Sequence, residues 1–445
     1  MATHVDLIRW QDEPAPAPWW FLPLAFLGAA YVAAVTLRLL AYLTLCLHQR
    51  RPNNDLRRRY GAWAVVTGPT SGIGRAMALE LARQGLNLVL VDLDTTNLQE
   101  ISDTIRSRHG GVETKTVVFD LSLVSTDQGD KPLRRLREAV DGLDVGVLVN
   151  NAGVAWPGSV YLHEVEVEAW VRMMRVNLWA VTVVTAAVLP GMVARRRGAI
   201  VNIGSASSEA IPSFPLFTIY AATKRYVAQF SRGLHVEYAG KGIHVQCQVP
   251  FFVATRMVEN LAEARRLSPF TATPGAYARA AVGWIGRGRA SGTSCCEVTA
   301  AVLPGMVERG RGGAVVNLGS AASEAIPSFP LYTMYASTKR YVAQFSRSLH
   351  VEYANKGIHV QCQTPFFVET TMLAKLEEEV GLSVSPLKVS KDTYAHAAVA
   401  WIGRGGPLCT PGGLLHQLMW CITAAVPESV LDWIVLRFTT WNRGR

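Results

Sequence analysis

Between positions 62 and 92 the chain reads as an apolar strand, a glycine-rich turn, a helix and a second apolar strand. AWAVV (62–66) is followed by TGPTSGIG (67–74), then RAMALELARQ (75–84), then LNLVLV (86–91), which ends in Asp92. Few folds accept that order. Gly68 permits the tight turn, Gly72 lets the backbone approach a pyrophosphate, and Gly74 allows close helix–strand packing. Ser71 and Ile73 complete the turn, and the free amides of the helix N-terminus favour an anion there. A phosphate loop of the Walker kind ends in Gly-Lys-Ser/Thr, whereas this chain has Gly74-Arg75. The unit predicts an α/β fold: a doubly wound parallel sheet of the Rossmann type that binds a dinucleotide.

Two further strands extend the pattern. Residues 116–119 lead into Asp120, which at a strand end can accept a hydrogen bond from an adenine amino group. Residues 145–149 lead into Asn150, Asn151, Ala152 and Gly153 at the carboxyl edge, where ligands bind in such sheets. A fifth strand, AIVNI (199–203), precedes Gly204-Ser205. Tyr220 follows fifteen residues after Ser205, and Lys224 four after that, in a helical pattern that puts the two on one face. A free phenol titrates near about 10 and is a poor acid at neutral pH. An ammonium beside it, with a cationic nicotinamide nearby, lowers that value and readies the hydroxyl to protonate a carbonyl oxygen. Ser205 can hydrogen-bond the same oxygen and stabilise the developing alkoxide.

TGPTSGIG, NNAG, Ser205 and YAATK in that order, across residues 61–288, resemble the short-chain dehydrogenase/reductase superfamily. The resemblance implies a catalytic set of Asn177, Ser205, Tyr220 and Lys224, with Asn177 holding a water that links the lysine to solvent. It also implies that Thr255 contacts the nicotinamide end of the cofactor. Within the superfamily the chain is most similar to the plant type of microsomal very-long-chain 3-oxoacyl-CoA reductases. RRRGAIVNIGS, PSFPLFTIYAATKRYV, LHVEYAGKGIHVQCQVP and the bulky Phe251-Phe252 carry that likeness. It implies reduction of a 3-oxoacyl-CoA to a 3-hydroxyacyl-CoA in fatty-acid elongation, on the cytosolic face of the endoplasmic reticulum. Other elongation enzymes and a homodimer are the implied protein partners. A hydroxysteroid dehydrogenase and an inactive scaffold of a membrane enzyme complex are the alternatives.

The resemblance implies NADPH. Asp92 and Asp94 point to NADH, because a carboxylate at the end of the second strand binds ribose hydroxyls and repels a 2′-phosphate. Arg75 is the nearby cation expected to offset that repulsion, and the reading leans to NADPH.

Residues 184–288 recur at 298–405, with offsets of 114, 115 and then 117 residues. IPSFPL, YVAQFSR, LHVEYA, KGIHVQCQ and PFFV all occur twice, and the catalytic residues recur as Ser320, Tyr335 and Lys339. The second copy has no glycine-rich turn and no Asn-Asn-Ala-Gly, and Ser291 stands in the place of Asn177. It therefore reads as a partial duplicate of the fold's C-terminal half. It either docks on the first copy as a partner subunit would, or competes to complete the same sheet, or records the joining of two tandem genes.

The N-terminal segment 19–37 carries no charge, and its nineteen residues span about 28 Å as a helix, roughly one hydrocarbon core. Arginines at 50, 51 and 57–59 follow, which predicts an anchor with everything after it in the cytosol, beside anionic lipids. The organisation is then a tail (1–18), an anchor (19–47), a basic juxtamembrane segment (48–60), the dehydrogenase domain (61–288), a linker (289–297), the duplicate (298–405) and an apolar tail (406–445). The formal charge of +10 is attributed to lipid rather than nucleic acid, since no recognition motif accompanies it. Seven cysteines without metal-ligand spacing predict neither a zinc site nor a disulfide framework.

Overall fold

The computed structural model describes residues 55–259 except 211 and 212, residues 271–286, most of 313–377, 388–402 and most of 406–434, and seven residues between 25 and 37. The expected anchor and the linker at 289–297 lie almost wholly outside the described residues. The seven residues described within the anchor are helical, and Phe26 and Leu37 among them are exposed.

Six parallel strands form the main sheet in the order β3-β2-β1-β4-β5-β6. They are β1 (Trp63–Thr67), β2 (Asn87–Asp92), β3 (Thr114–Val118), β4 (Val145–Asn150), β5 (Gly198–Ile203) and β6 (Ile243–Gln248). Alternating side chains divide the core between the two faces. Val65, Val89 and Val91 pack on one face, against Leu136 of helix α3 (Asp127–Val140), Val184 and Met192 of α5 (Ala180–Arg195) and Phe230 of α6 (Thr218–Tyr238). Val66, Leu88 and Leu90 pack on the other face, against Met77 and Leu81 of α1 (Gly72–Arg83), Ile101 of α2 (Thr95–Arg108) and Val282 of α7 (Pro274–Gly283). Helix α4 (Val167–Met174) continues into α5 through a π-helical turn at Arg175–Trp179. The whole run Val167–Arg195 is long and apolar enough to cross a membrane, but half of its most apolar window is buried inside the protein, as in a core helix.

A second sheet has the order β7-β8-β9, from Gly313–Leu318, Ile358–Gln363 and Leu408–Cys409. Its β7–β8 register, Gly313 opposite Ile358, repeats that of β5–β6, Gly198 opposite Ile243. The main sheet is thus completed by the first of the two similar segments, with Val147 of β4 paired to Ala199 of β5. The second segment packs beside it through helix α8 (Thr333–Tyr353), which lies along α6. The contact is reciprocal: Thr218 bonds Glu352, and Thr333 bonds Glu237. Thr218 and Thr333 stand 115 positions apart, as do Glu237 and Glu352, so the two helices meet about a local two-fold axis. Ile219 and Ala222 share a buried cluster with Tyr341, Phe345 and Leu349.

A partial sheet of this kind leaves strand edges open, and one of them is closed by β9, which pairs with β8. Helix α9 (Lys391–Trp401) and helix α10 (Gly413–Ala425) follow. The latter lies in the apolar tail. It exposes Leu418 and Ile422 while burying His416 completely.

Candidate active site

The site lies where the strand order reverses between β1 and β4, at their carboxyl ends. A cavity of about 300 Å³ opens there, lined by Gly68, Ser71, Gly72, Ile73, Asp92, Asp120, Asn151, Ala152, Gly153, Ser205, Tyr220, Lys224 and Thr255. These are the residues read from sequence, except for Gly74 and Asn177, which support the cavity from behind. Helix α1 starts at Gly72 rather than at Arg75, so its first free amides face this space. A Cβ on Gly74 would stand 2.0 Å from the Gly68 carbonyl oxygen, so only glycine lets the helix close on the turn. Gly72 has φ +54°, and a Cβ there would press on Thr255 at 3.0 Å.

Asn151 locks the fourth strand to the glycine turn. Its Nδ2 donates to the carbonyls of Thr67 and Gly68 at 3.1 Å each, and its backbone N–H donates to Thr67 Oγ1 at 3.0 Å. Thr67 was not singled out from the sequence, although its position between strand and first glycine is the available signal. Asn150 turns the other way and ties β4 to Asn202 and Thr185 at 2.8 and 2.9 Å. Asp120 caps the turn Leu121–Leu123 by accepting from the Ser122 N–H at 2.8 Å.

Asp92 accepts from the Thr70 hydroxyl at 2.7 Å and from the Leu93 N–H at 2.7 Å, and so holds its carboxylate at the cavity wall. Asp94 has a different task. It is the N-cap of α2 and accepts from the Asn97 N–H at 3.0 Å. Arg75 does not offset Asp92 as expected: it forms a two-bond ion pair with Glu100 at 2.5 and 2.8 Å and does not line the cavity. The glycine cradle, the helix N-terminus and the carboxylate at the end of β2 together fit a nicotinamide dinucleotide.

Ser205 caps the short turn Ala206–Glu209, and its Oγ accepts from the Ser207 N–H and hydroxyl at 3.2 and 2.9 Å. It also hydrogen-bonds the Tyr220 phenol. Lys224 is buried, donates from Nζ to the Ile203 carbonyl at 2.9 Å and lies 5.9 Å from the centre of the Tyr220 ring. Asn177 sits in the π turn, fully buried. Its Oδ1 accepts from the Val154 N–H at 2.8 Å, and its Nδ2 donates to the Val154 carbonyl at 2.8 Å and to Thr223 Oγ1 at 3.1 Å. The extra residue of a π turn re-aims one side chain, and such turns recur at functional sites.

The phenol departs from expectation. Burial pushes Tyr220 above its ordinary value, and the Ser205 hydrogen bond only partly opposes this. Lys224 is itself brought down to about 8 by burial. The protein surroundings alone therefore keep Tyr220 protonated, which suits a proton donor.

Beside Ser205 and Tyr220 a second cavity of about 620 Å³ opens, walled by Trp156, Phe214, Phe217, Phe251, Phe252 and Met257. An apolar substrate placed there has its polar end at the two hydroxyls. The similar residues Ser320, Tyr335 and Lys339 of the second segment line neither cavity.

The family model described as short chain dehydrogenase matches residues 62–266 and 290–381. A very-long-chain 3-oxoacyl-CoA reductase-like protein of Arabidopsis thaliana is 43% identical over 274 residues, covering 61% of this chain and 84% of its own. A very-long-chain 3-oxoacyl-CoA reductase of Anas platyrhynchos is 40% identical over 228 residues, covering 51% and 69%. An inactive hydroxysteroid dehydrogenase-like protein of Homo sapiens is 38% identical over 268 residues, covering 59% and 79%. With the sheet order, the glycine cradle and the Ser205–Tyr220–Lys224 cluster alongside these matches, the chain belongs to the short-chain dehydrogenases and is an oxidoreductase.

Proposed function

We propose that the chain is a membrane-anchored reductase of 3-oxoacyl-CoA in very-long-chain fatty-acid elongation, held at the endoplasmic reticulum with its catalytic domain in the cytosol. The observation that carries this reading is the placement of Ser205 and Tyr220 at the junction of the dinucleotide cavity and the apolar, phenylalanine-walled cavity. The acyl chain occupies the second cavity and presents its 3-oxo group to the two hydroxyls. Tyr220 donates a proton to the carbonyl oxygen, and Ser205 hydrogen-bonds the same oxygen as negative charge develops on it. Lys224 places a positive charge behind the phenol, and Asn177 fixes the Val154 backbone at the cavity wall. A bound nicotinamide dinucleotide supplies the hydride. Asp92 at the cavity wall, with Arg75 engaged elsewhere, favours NADH over the NADPH that the resemblance implies.

The test is oxidation of NADH and NADPH by microsomes that carry the chain, given a 3-oxoacyl-CoA, a 3-ketosteroid or neither. Turnover with the thioester alone is expected. Turnover with the steroid alone would assign the hydroxysteroid alternative, and turnover with neither would favour a scaffold. Protease added to the same sealed microsomes is expected to digest the catalytic domain, and protection of the whole chain would overturn the topology.

A further inference from the structure

A third concavity, of about 620 Å³, lies along the outer side of α1, and its walls carry Arg75, Arg83, Arg108, Arg256 and Arg279 with His109. Ala76, Leu79, Gly72, Ala254, Pro274 and Gly275 also line it, together with one carboxylate, that of Glu80. Only part of the positive charge is answered. Arg75 pairs with Glu100, and Arg83 pairs with Glu80 at 2.7 Å. Arg108, Arg256 and Arg279 are exposed and form no ion pair within 4 Å among the described residues, although Glu100, Asp94 and Glu80 respectively feel their charge. Guanidinium groups gathered in one groove repel each other and focus a positive potential, and their planar forks match phosphate oxygens. Arg256 also lines the dinucleotide cavity and the apolar cavity, so all three spaces meet at one side chain.

We infer that this arginine-lined groove binds the phosphates of the adenosine 3′,5′-bisphosphate end of coenzyme A. The inference rests on the reductase reading above, and it adds the place where the thioester's polar end is held. The apolar cavity takes the chain, Ser205 and Tyr220 take the oxo group, and the groove beyond Arg256 takes the anionic end. Arg108 and Arg279 determine specificity for the coenzyme A ester without touching the reacting atoms.

The test uses the full chain in detergent and the paired substitution Arg108→Ala/Arg279→Ala. Adenosine 3′,5′-bisphosphate is titrated with the dinucleotide cavity saturated by the preferred nicotinamide cofactor. The expected result is binding to the wild type and at least tenfold weaker binding to the variant. In turnover, KM for the 3-oxoacyl-CoA is expected to rise at least fivefold with kcat unchanged. KM for the same acyl group on N-acetylcysteamine, which has no phosphate, is expected to stay put. Bisphosphate binding that is absent, or equal in wild type and variant, overturns the inference. So does a KM that rises alike for both thioesters. Phosphatidylserine vesicles that displace the bisphosphate would reassign the groove to lipid headgroups. A wild type that reduces neither thioester refutes the reductase reading, while the titration still decides the groove.

Discussion

Lys224 and Lys339 make the same two contacts in two different places. Lys224 Nζ donates to the Ile203 carbonyl at 2.9 Å, and Lys339 Nζ donates to the Leu318 carbonyl at 3.0 Å. Each lies 5.9 Å from the ring centre of the tyrosine four residues before it. Ser205 and Ser320 cap equivalent short turns. The cluster is therefore a local property of one strand–turn–helix unit. What separates the two is the neighbour: Gly153 lies beside Lys224 and Asn177, where an added Cβ would stand 3.3 Å from both Lys224 Nζ and Asn177 Oδ1, tighter than an ordinary contact.

Tyr220→Phe is expected to abolish reduction, because it removes the proton donor and keeps the ring. Tyr335→Phe should leave kcat/KM within a few-fold of wild type, since Tyr335 lines neither cavity. Steady-state kinetics on the two variants decide this, and the opposite ranking would mean that the second segment completes the working sheet.

Reduction should fail at alkaline pH. Burial lowers the Lys224 ammonium to about 8, so its charge is present below that value and is lost as pH rises through it. The kcat/KM for reduction should be level from about pH 6 to 7.5 and then fall about tenfold per unit, as for loss of a single proton. A profile still level at pH 10 would show that the Lys224 charge is not needed.

Asp92→Ser should shift preference from NADH toward NADPH by at least tenfold in the ratio of kcat/KM values, because it removes the carboxylate and leaves a hydroxyl near Thr70. A wild type already selective for NADPH and unchanged by Asp92→Ser would place that choice on another group.

Glu352 makes the contact between α6 and α8 sensitive to pH. Its Oε1 accepts from the Leu216 N–H at 2.8 Å and from Thr218, while its buried Oε2 has no hydrogen-bond partner among the described residues. Burial raises this carboxyl to about 7. The folded state therefore holds a proton that the unfolded chain releases near about 4.3. That contribution is complete at low pH, shrinks as pH rises from there and is gone above about 7. Glu352→Gln keeps the Oε1 acceptor and removes the charge. Thermal melting of the full chain should show Glu352→Gln more stable than wild type at pH 8, by up to about 3 kcal/mol, and much closer to it at pH 5. A difference independent of pH would refute the assignment.

The first half of the fold was legible because each step is local. The glycine turn, the acid after β2 and the run from Asn150 to Gly153 all reach the predicted edge, and the strand ends fall within about two residues of the reading. Ser205, Tyr220 and Lys224 were legible as types and spacings, whereas Asn177 came only with the family resemblance, since the π turn that carries it leaves no mark in the periodicity. Which copy completes the sheet could not be read, because GAIVNI and GAVVNL are equally good strands and loop closure separates them by less than about 1 kcal/mol. The pairing of Arg75 with Glu100 was likewise hidden, since it joins two helices through residues 25 positions apart.

The two-fold contact between α6 and α8 has an evolutionary consequence. In a dimer of identical chains, any substitution at such a contact occurs twice, once on each side, and both must be tolerated together. Here the two sides are written separately, so either can change alone. The helices differ at three of their 21 positions: Ile219 against Met334, Ala222 against Ser337 and Gly233 against Ser348. All three pairs sit at or beside the contact: Tyr226 meets Met334, Ala222 belongs to the shared cluster, and Ser348 accepts from the Phe214 N–H. The face that needs no catalysis can thus specialise as a fitted cover, while the helix that bears Tyr220 and Lys224 stays as chemistry requires.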